Sequence, residues 1–221
     1  MDQAVEKFLS EIEPKDYYIK ETHLYTLCLT ENYYNPYDKW IRVGWALKNT
    51  HEKLFLTWIR FSAKSNKFCF DKIPEFYDLW CRFDKYNNDG LTKRSIIYWA
   101  KNDNYAEYMK IRKETIDYFV EATIEYPTDF DFAVVLYQMY KDDFVCVSIK
   151  RDLWYIYQNH RWVENEGGTN LRIEISRELF DIYFKKQNDL IIYLGSGAID
   201  MSSDNGQTLA KKSNKISALA N

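Results

Sequence analysis

The sequence has few of the residues that bind metals or form disulfides. Its 221 residues include only four cysteines and three histidines. The cysteines, Cys28, Cys69, Cys81 and Cys146, form no Cys-x-x-Cys pair, and no histidine stands at metal-ligand spacing. The sequence therefore predicts no metal site and four reduced thiols, most of them buried.

Long apolar runs and a large net charge are also missing. No segment has the length of a signal peptide or of a membrane-spanning helix. We therefore expect a soluble, intracellular protein without a membrane partner. The net charge of −3 gives no general attraction to polyanions, so any nucleic acid must meet a local basic patch.

Catalytic motifs are absent as well. The run Gly195-Ser196-Gly197 is followed by no Gly-Lys-Ser/Thr, so it predicts a simple turn and no phosphate loop. The acidic run from Asp84 to Gly90 resembles a calcium loop, but its sixth position is Asp89 where glycine is required. The three histidines are too far apart in the sequence to indicate a nucleophile or a metal cluster.

Asp129 and Asp131 have the Asp-x-Asp spacing with which polymerases and primases hold two divalent ions. They follow Pro127 at the start of a helical pattern, where aspartate favours the positive end of the helix dipole. We therefore interpret the pair as helix capping, with Thr128 or Asp129 as the cap. No catalytic residue is assigned in this chain.

Aromatic residues are abundant, at 18% of the chain, with 19 tyrosines and 7 tryptophans. Over residues 37–99 they recur at helical spacing, which favours core packing over stacking on bases. Gly44 allows a neighbour to approach one of these helices closely. Residues 15–35 have no clear period and are expected to be irregular. Helices are expected up to Pro14, from Asn35-Pro36, over about 52–64, from Pro74, from Thr92, from about Tyr105 to Pro127, and from Thr128 or Asp129.

Residues 144–176 are the only long stretch that alternates like a β-sheet. We expect a four-stranded antiparallel meander, a helix capped by Ser176, and a polar tail after Gly195 with a loop over 202–206. The strands are expected at Phe144 to Ile149, Leu153 to Tyr157, Arg161 to Asn165, and Leu171 to Ile175, with turns at Lys150 to Asp152 and at Gln158-Asn159.

The predicted meander carries a mixture of aromatic and basic side chains. Unpaired bases stack on aromatic rings while cations neutralise phosphates, so this surface is a candidate for contact with single-stranded DNA. Two alternatives stay open: His160 bonds the backbone of its turn, and the aromatic face packs into a core. The candidate residues are Lys150, Arg151, Trp154, Tyr157, His160, Arg161, Trp162 and Arg172.

Several runs of the sequence resemble a known viral protein family. The runs YDKWIRVGWALKN, LFLTWIRFSAKS, YDLWCRF and LTKRSIIYWAKNDNYAEY resemble the C-terminal primase module of replication proteins of nucleocytoplasmic large DNA viruses. The later run AVVLYQMYKDDFVCVSIKRDLWYIYQNHRWVENEGGTNLRIEIS resembles the poxvirus-type helicase N-terminal region that follows it there. The two regions stand in the family's order and together cover most of residues 1–185.

The resemblance implies the middle of a primase-helicase, in which an archaeo-eukaryotic-type primase precedes and a superfamily 3 AAA+ helicase, a hexameric ring, follows. The primase carboxylates are expected upstream of Met1 and the helicase phosphate loop downstream of Asn221. ATP and magnesium are therefore expected only in those domains, with no cofactor in this chain. The resemblance also implies that the protein acts in the host cytoplasm or at a viral replication site. The expected partners are single-stranded DNA, the primase and helicase domains of the same polypeptide, and further copies of the chain in a homo-oligomer.

The expected fold is α+β, mostly helical, with a small antiparallel β-meander in the C-terminal half. The expected function is non-catalytic coupling of primase to helicase, with contact to the single-stranded template. The alternatives are a structural oligomerisation collar that does not touch DNA and a chain that retains enzyme activity. The expected domains are a primase C-terminal-like module over 1–110, a connector over 111–127, a helicase N-terminal-like module over 128–195, and a tail over 196–221.

Overall fold

A computed structural model of the chain describes residues 2–83, 90–125, 127–197, 200 and 202–219. It divides into two units, Met1–Thr115 and Ile116–Asn221. Helices predominate, and three described strands form one antiparallel sheet in the second unit. The predicted class, α+β and mostly helical with a small meander in the C-terminal half, is confirmed. The domain boundaries predicted after residues 110, 127 and 195 stay a prediction.

The first unit is built from helices, most of which the spacing of apolar residues predicts. Three short 3-10 helices, Pro14–Asp16, Glu52–Leu54 and Phe70–Lys72, precede α2, α5 and α6. The α-helices are α1 (Asp2–Ser10), α2 (Tyr17–Cys28), α3 (Glu31–Tyr34), α4 (Tyr37–Thr50), α5 (Phe55–Ser62), α6 (Ile73–Cys81), α7 (Lys93–Asp103) and α8 (Tyr105–Glu125), within which the two units meet.

The expectation that residues 15–35 are irregular is wrong, because α2 and α3 lie there. The buried side of α2 includes two threonines, so it lacks the apolar period by which a helix is recognised. Thr22 donates its hydroxyl to the Tyr18 carbonyl at 2.6 Å, and Thr26 donates to the Thr22 carbonyl at 2.7 Å. Local hydrogen bonds of this kind satisfy the hydroxyls and allow their burial.

Aromatic rings form the core of this unit, as the helical spacing predicts. Trp58 is fully buried, and Trp40 stacks on it with ring centroids 4.7 Å apart. Trp80 and Phe83 pack at 5.7 and 5.3 Å from the same ring. A Cβ at Gly44 would lie 2.8 Å from an atom of Trp58, so the absent side chain allows the ring to contact the backbone of α4.

The second unit contains the sheet and five described helical segments. After the end of α8 come α9 (Asp129–Tyr140), β1 (Phe144–Ser148), β2 (Leu153–Gln158), β3 (Arg161–Glu166), α10 (Thr169–Glu174), a π-helical turn (Ile175–Leu179), α11 (Phe180–Gly195) and α12 (Asp204–Leu219). Its core consists mainly of Val120, Ile124, Val135, Met139, Tyr140, Tyr183 and Ile216.

The predicted fourth strand is wrong, because its residues form α10 and the start of the π-helical turn. Gly167 and Gly168 have φ values of 57° and 64°, which end the sheet and begin the helix. Leu171 and Ile175 pack on the core, whereas Ile173 is 42% exposed. Residues four apart share one face of a helix, so the buried pair fits a helix as well as it fits a strand.

Two further expectations for the C-terminal part are wrong. Ser176 does not cap a helix but lies inside the π-helical turn, where its hydroxyl donates to the Ile173 carbonyl at 2.8 Å. The loop expected over 202–206 is wrong, because α12 begins at Asp204. Ile216 of that helix is 1% exposed. The polar composition of this segment thus hides an amphipathic helix that contributes to the core.

The four cysteines are free, as predicted, but the expectation that most are buried is wrong. Cys69 and Cys81 are exposed, and Cys28 and Cys146 are half-buried. Burial raises the pKa of the Cys28 thiol to about 11, which makes it a poor nucleophile at neutral pH. Among the described helices, none combines the length and apolar character needed to cross a membrane.

Candidate nucleic-acid interface

Two tight turns shape the meander. β2 pairs with β1 and with β3, both antiparallel, and Gln158 stands opposite Arg161. The two residues between them, Asn159 and His160, have φ values of 51° and 63°. Positive φ at both positions is the type I′ turn that fits the twist of a β-hairpin, and asparagine tolerates it well. The turn lies one residue later than the sequence predicts.

The predicted site residues fall into two groups, because the two turns lie at opposite ends of β2. The six residues of β2 span roughly 17 Å at ~3.3 Å per residue. The sheet therefore does not bring all eight candidates together. The hairpin-tip group is Tyr157, His160, Arg161 and Trp162, and the first-turn group is Lys150, Arg151, Trp154 and Arg172.

The hairpin-tip group presents an exposed pair of rings. Tyr157 and Trp162 stand directly opposite each other in the register of β2 and β3, so both side chains lie on the same face of the sheet. Their ring centroids are 5.2 Å apart, and the side chains are 44% and 47% exposed. This face of the sheet is accessible at its tip.

The basic members of this group are also accessible. His160 and Arg161 are exposed. Within the described part of the chain, His160 makes no side-chain hydrogen bond and Arg161 makes no ion pair. The alternative in which the His160 side chain bonds the backbone of its turn is therefore not observed in that part. Both side chains are available to a phosphate or a base.

The first-turn group makes more contacts within the chain than the hairpin-tip group does. Trp154 donates its indole N–H to Asp152 at 2.9 Å, and Arg172 lies 3.7 Å from the other oxygen of the same carboxylate. Gly168 lies against the Trp154 ring, which a Cβ there would meet at 3.5 Å. Lys150 and Arg151 are exposed. Trp154 and Arg172 thus make contacts that stabilise the turn.

The opposite face of the sheet borders an apolar groove of about 690 Å³ between α9, the sheet and α10. At the groove, Tyr140 donates its hydroxyl to Glu178 at 3.1 Å, and burial followed by the charge of Glu178 raises the pKa of the Tyr140 hydroxyl. Part of the sheet therefore packs toward the core while its other face stays open. The groove is lined mainly by Leu136, Tyr137, Tyr140, Phe144, Trp154, Trp162, Leu171 and Ile175, so the Trp162 ring of the hairpin-tip group also borders it.

The sequence reasoning missed two carboxylates on the open face. Glu164 and Glu166 alternate with Trp162 along β3, so they share its face, and both are exposed. The period of two in the sequence was enough to place them. Carboxylates repel phosphates, and on this face of β3 only the end at the hairpin tip, at Trp162, carries no carboxylate.

The acidic pair at the start of α9 has the predicted structural role. Thr128 is the cap residue, and its hydroxyl oxygen accepts a hydrogen bond from the Asp131 backbone N–H at 3.2 Å. Asp129 and Asp131 occupy the first helical turn, where negative charge is favoured. No group of three or more potential metal ligands occurs among the residues that the structure describes.

Of the other two motifs in the sequence, only the glycine run after α11 lies among the described residues. α11 ends at Gly195, and Gly197 follows in a turn with φ of 73°. The calcium-like run lies outside the described residues over Asp84–Asp89.

Comparison with known proteins matches both parts of the chain. Residues 24–100 match the family model described as Primase C terminal 2 (PriCT-2). The chain is 33% identical over 155 residues to "Putative helicase L207/L206" of Acanthamoeba polyphaga mimivirus, covering 70% of this chain and 16% of that protein. It is 26% identical over 159 residues to "Putative helicase 022R" of Frog virus 3 (isolate Goorha), covering 69% of this chain and 15% of that protein.

The chain thus spans only a small part of the length of either viral relative. The matches nevertheless agree with the resemblance that the sequence indicates, in the primase module and in the relation to viral helicases. The chain therefore contains a viral primase-helicase-related region.

Proposed function

We propose that the chain is a non-catalytic coupling region that joins a primase domain to a superfamily 3 AAA+ helicase domain and contacts the single-stranded template. Its partners are then those two domains of the same polypeptide and single-stranded DNA, while ATP and magnesium act in the flanking domains. The match of residues 24–100 to a primase C-terminal model and the two viral relatives support the coupling role.

One observation carries the DNA-contact part of the proposal, namely the exposed Tyr157–Trp162 ring pair at the hairpin tip. Arg161 precedes Trp162 in β3, so it lies at the same tip on the other face of the sheet. Base–aromatic stacking contributes about 1–3 kcal/mol per base, and every base has a face that can stack. Arg161 has no competing ion pair among the described residues, so its charge is available to a phosphate. The tip therefore combines the two interactions that sequence-independent binding of a single strand requires.

The test is the binding of a fluorescent single strand to the full chain, followed by anisotropy at low salt. Arg161→Glu combined with Trp162→Ala is expected to lower affinity about tenfold or more, since it removes one stacking ring and reverses one charge. Lys185→Glu is the matched control, because Lys185 is an exposed residue of α11 in the same unit. No binding by the unaltered chain, or equal binding by both variants, would refute DNA contact at the tip.

The oligomerisation collar is a second candidate, favoured by an exposed apolar stripe on α11. Phe180 and Phe184 stack with centroids 5.6 Å apart, and both are nearly half exposed. Ile192 is 69% exposed farther along the helix. DNA binding and light scattering of the variant Arg161→Glu with Arg172→Glu separate the two candidates. If the chain contacts DNA, the variant changes in DNA affinity and keeps its oligomer mass. If those residues serve assembly, the oligomer mass changes.

A further inference from the structure

A second surface, in the unit Met1–Thr115, combines aromatic rings with cations. Tyr33 of α3 and Trp99 of α7 have ring centroids 5.7 Å apart. Two residues of α4 lie over these rings: Lys39 Nζ is 5.1 Å from the Tyr33 centroid, and the Arg42 guanidinium carbon is 5.9 Å from the Trp99 centroid. The four side chains form a continuous row, which we call the aromatic–cation stripe.

The stripe is held in place by a neighbouring carboxylate. Asp103, at the end of α7, accepts hydrogen bonds from the Thr30 backbone N–H at 2.7 Å and the Thr30 hydroxyl at 2.9 Å. It also accepts one from the Asn32 side-chain amide at 3.2 Å. These bonds join the start of α3 to α7, so the ring of Tyr33 is positioned against Trp99 before any ligand arrives.

The charges of the stripe are available, which distinguishes it from the contact between Lys48 and Trp80 in the same unit. Lys48 also lies over a ring, that of Trp80, but its Nζ is 2.7 Å from Glu52 and its side chain is 13% exposed. Lys39 and Arg42, by contrast, are exposed and make no ion pair with any residue that the structure describes. The stripe thus offers accessible positive charge next to its rings, which Lys48 does not offer next to Trp80.

An exposed ring stands beside the stripe. Tyr98 precedes Trp99 on α7 and is 66% exposed. Burial raises the pKa of the Tyr33 hydroxyl, Asp103 and Tyr98 add to the rise, and Arg42 opposes it. Tyr98 thus adds an accessible ring next to Trp99 in the chain.

We propose that the aromatic–cation stripe is a second binding site for single-stranded DNA. An unpaired base stacks on Tyr98 or on the Arg42 guanidinium held over Trp99, and Lys39 neutralises an adjacent phosphate. An acidic protein partner would use the cations but gain little from the rings, so the combination favours nucleic acid. The site lies in the primase-like unit and does not depend on binding at the hairpin tip.

Photo-crosslinking of the full chain separates the two sites. The probe is an oligothymidylate of about 20 nucleotides carrying 5-iodouracil, which spans a typical single-strand site. Trypsin cleaves after lysine and arginine, so Tyr98 and Trp99 fall in the peptide 95–101 and Tyr33 falls in 21–39. Tyr157 and Trp162 of the hairpin tip fall in 152–161 and 162–172.

The stripe predicts crosslinks in 95–101 or 21–39 with the single strand, and none there with a duplex whose bases are already stacked. Crosslinks confined to 152–172 would overturn this proposal while supporting the hairpin tip. Crosslinks confined to 21–39 and 95–101 would support the aromatic–cation stripe and overturn DNA contact at the hairpin tip. Absence of crosslinks from all four peptides would overturn both proposals.

A charge-matched pair of variants tests the cations. Lys39→Glu with Arg42→Glu is expected to weaken binding of the single strand about tenfold or more and to reduce the salt exponent of binding by about 1.4, as for two lost phosphate contacts. Lys72→Glu with Lys113→Glu makes the same change in net charge at two exposed residues of the same unit. This control is expected to change affinity less than about threefold.

A third variant keeps the proposal testable if the Lys39/Arg42 variant fails to fold. Tyr98→Ala truncates an exposed ring and leaves the core unchanged, and it is expected to lower affinity about fivefold or more through lost stacking. Circular dichroism confirms the fold of each variant. If the Lys39/Arg42 variant binds like its charge-matched control and Tyr98→Ala binds like the unaltered chain, the proposal is overturned and the stripe is left to a protein partner.

Discussion

Nδ1 of His23 lies 2.9 Å from the hydroxyl oxygen of Thr57, with both side chains buried in the first unit. Burial, aided by the nearby charge of Arg60, lowers the pKa of His23 to about 4. The folded chain therefore holds the imidazole in its neutral form and bonds it to a hydroxyl. A buried group of this kind makes stability depend on pH.

The first prediction concerns that dependence. Because the folded pKa is lowered, the unfolded chain binds a proton between pH 6.5 and 4 that the folded chain excludes. Stability is thus complete above about pH 6.5 and is expected to fall by about 2 kcal/mol from pH 7 to pH 5. Urea unfolding at the two pH values measures it. His23→Gln removes the titration, so identical pH profiles for this variant and the unaltered chain would contradict the assignment.

The second prediction concerns the close contact at Gly44. Alanine usually stabilises a helix interior by about 1 kcal/mol over glycine, but a Cβ here would lie 2.8 Å from Trp58. Gly44→Ala is therefore expected to destabilise the chain by about 1–3 kcal/mol through overpacking. Gly195→Ala in α11 is the control, because its Cβ would meet no described atom within 4 Å. Thermal unfolding compares them, and equal melting temperatures would show that the core adapts.

The third prediction concerns Glu121 of α8, which connects two other helices. Its carboxylate lies 2.9 Å from Lys186 Nζ of α11 and 2.5 Å from Lys212 Nζ of α12. Burial alone would raise the pKa of Glu121, but the hydrogen bonds from Lys212 and Lys186 outweigh it and lower the pKa. These ion pairs therefore stabilise the fold above pH 4.5, and their contribution is lost as the pH falls through the lowered pKa.

Lys212→Met is accordingly expected to destabilise the second unit by about 1 kcal/mol and to speed amide exchange in α12. Lys215→Met is the control, since Lys215 is 54% exposed and 3.9 Å from Glu125. The difference between the two variants is expected to shrink when unfolding is measured below pH 4. A difference that is the same at pH 7 and below pH 4 would show that packing, and not the ion pair, is responsible.

The fourth prediction concerns the hairpin turn. His160 has φ of 63°, a conformation that glycine adopts without strain. His160→Gly is therefore expected to stabilise the chain by about 0.5–1 kcal/mol, and it also removes the imidazole. Denaturant unfolding reports the first effect and DNA binding the second. A loss of stability would mean that the imidazole makes contacts that the turn geometry does not reveal.

Much of the helical unit is predictable because its aromatic residues recur at helical spacing and are buried, as Trp58 and Trp80 are. α2 was missed for a physical reason: its buried face carries Thr22, His23 and Thr26, whose hydrogen bonds are made within the fold. Periodicity detects apolar burial only. A helix that buries satisfied polar groups has no such signal.

The sheet illustrates a different limit. The alternation of apolar residues predicts β1, β2 and β3 correctly. The same pattern at Leu171 and Ile175 also fits a helix, and a helix forms there because the two glycines before it end the sheet. The sequence did not show which face of the sheet is open. That depends on the register, which sets Tyr157 opposite Trp162 and Trp154 on the other side. The aromatic–cation stripe was equally hidden, because Tyr33, Arg42 and Trp99 come from three separate helices.

The π-helical turn over Ile175–Leu179 has a consequence for the length of the chain. Such a turn contains one residue more than the α-helical turn it replaces, so the segment from α10 to α11 is equivalent to a regular helix with a single inserted residue. Deletion of exposed Ser176 is therefore expected to leave α10 and α11 aligned with each other. It would shift residues within the turn, among them Glu178, and so separate Glu178 from the Tyr140 hydroxyl, 3.1 Å away. Homologous chains one residue shorter at this point can keep the same fold.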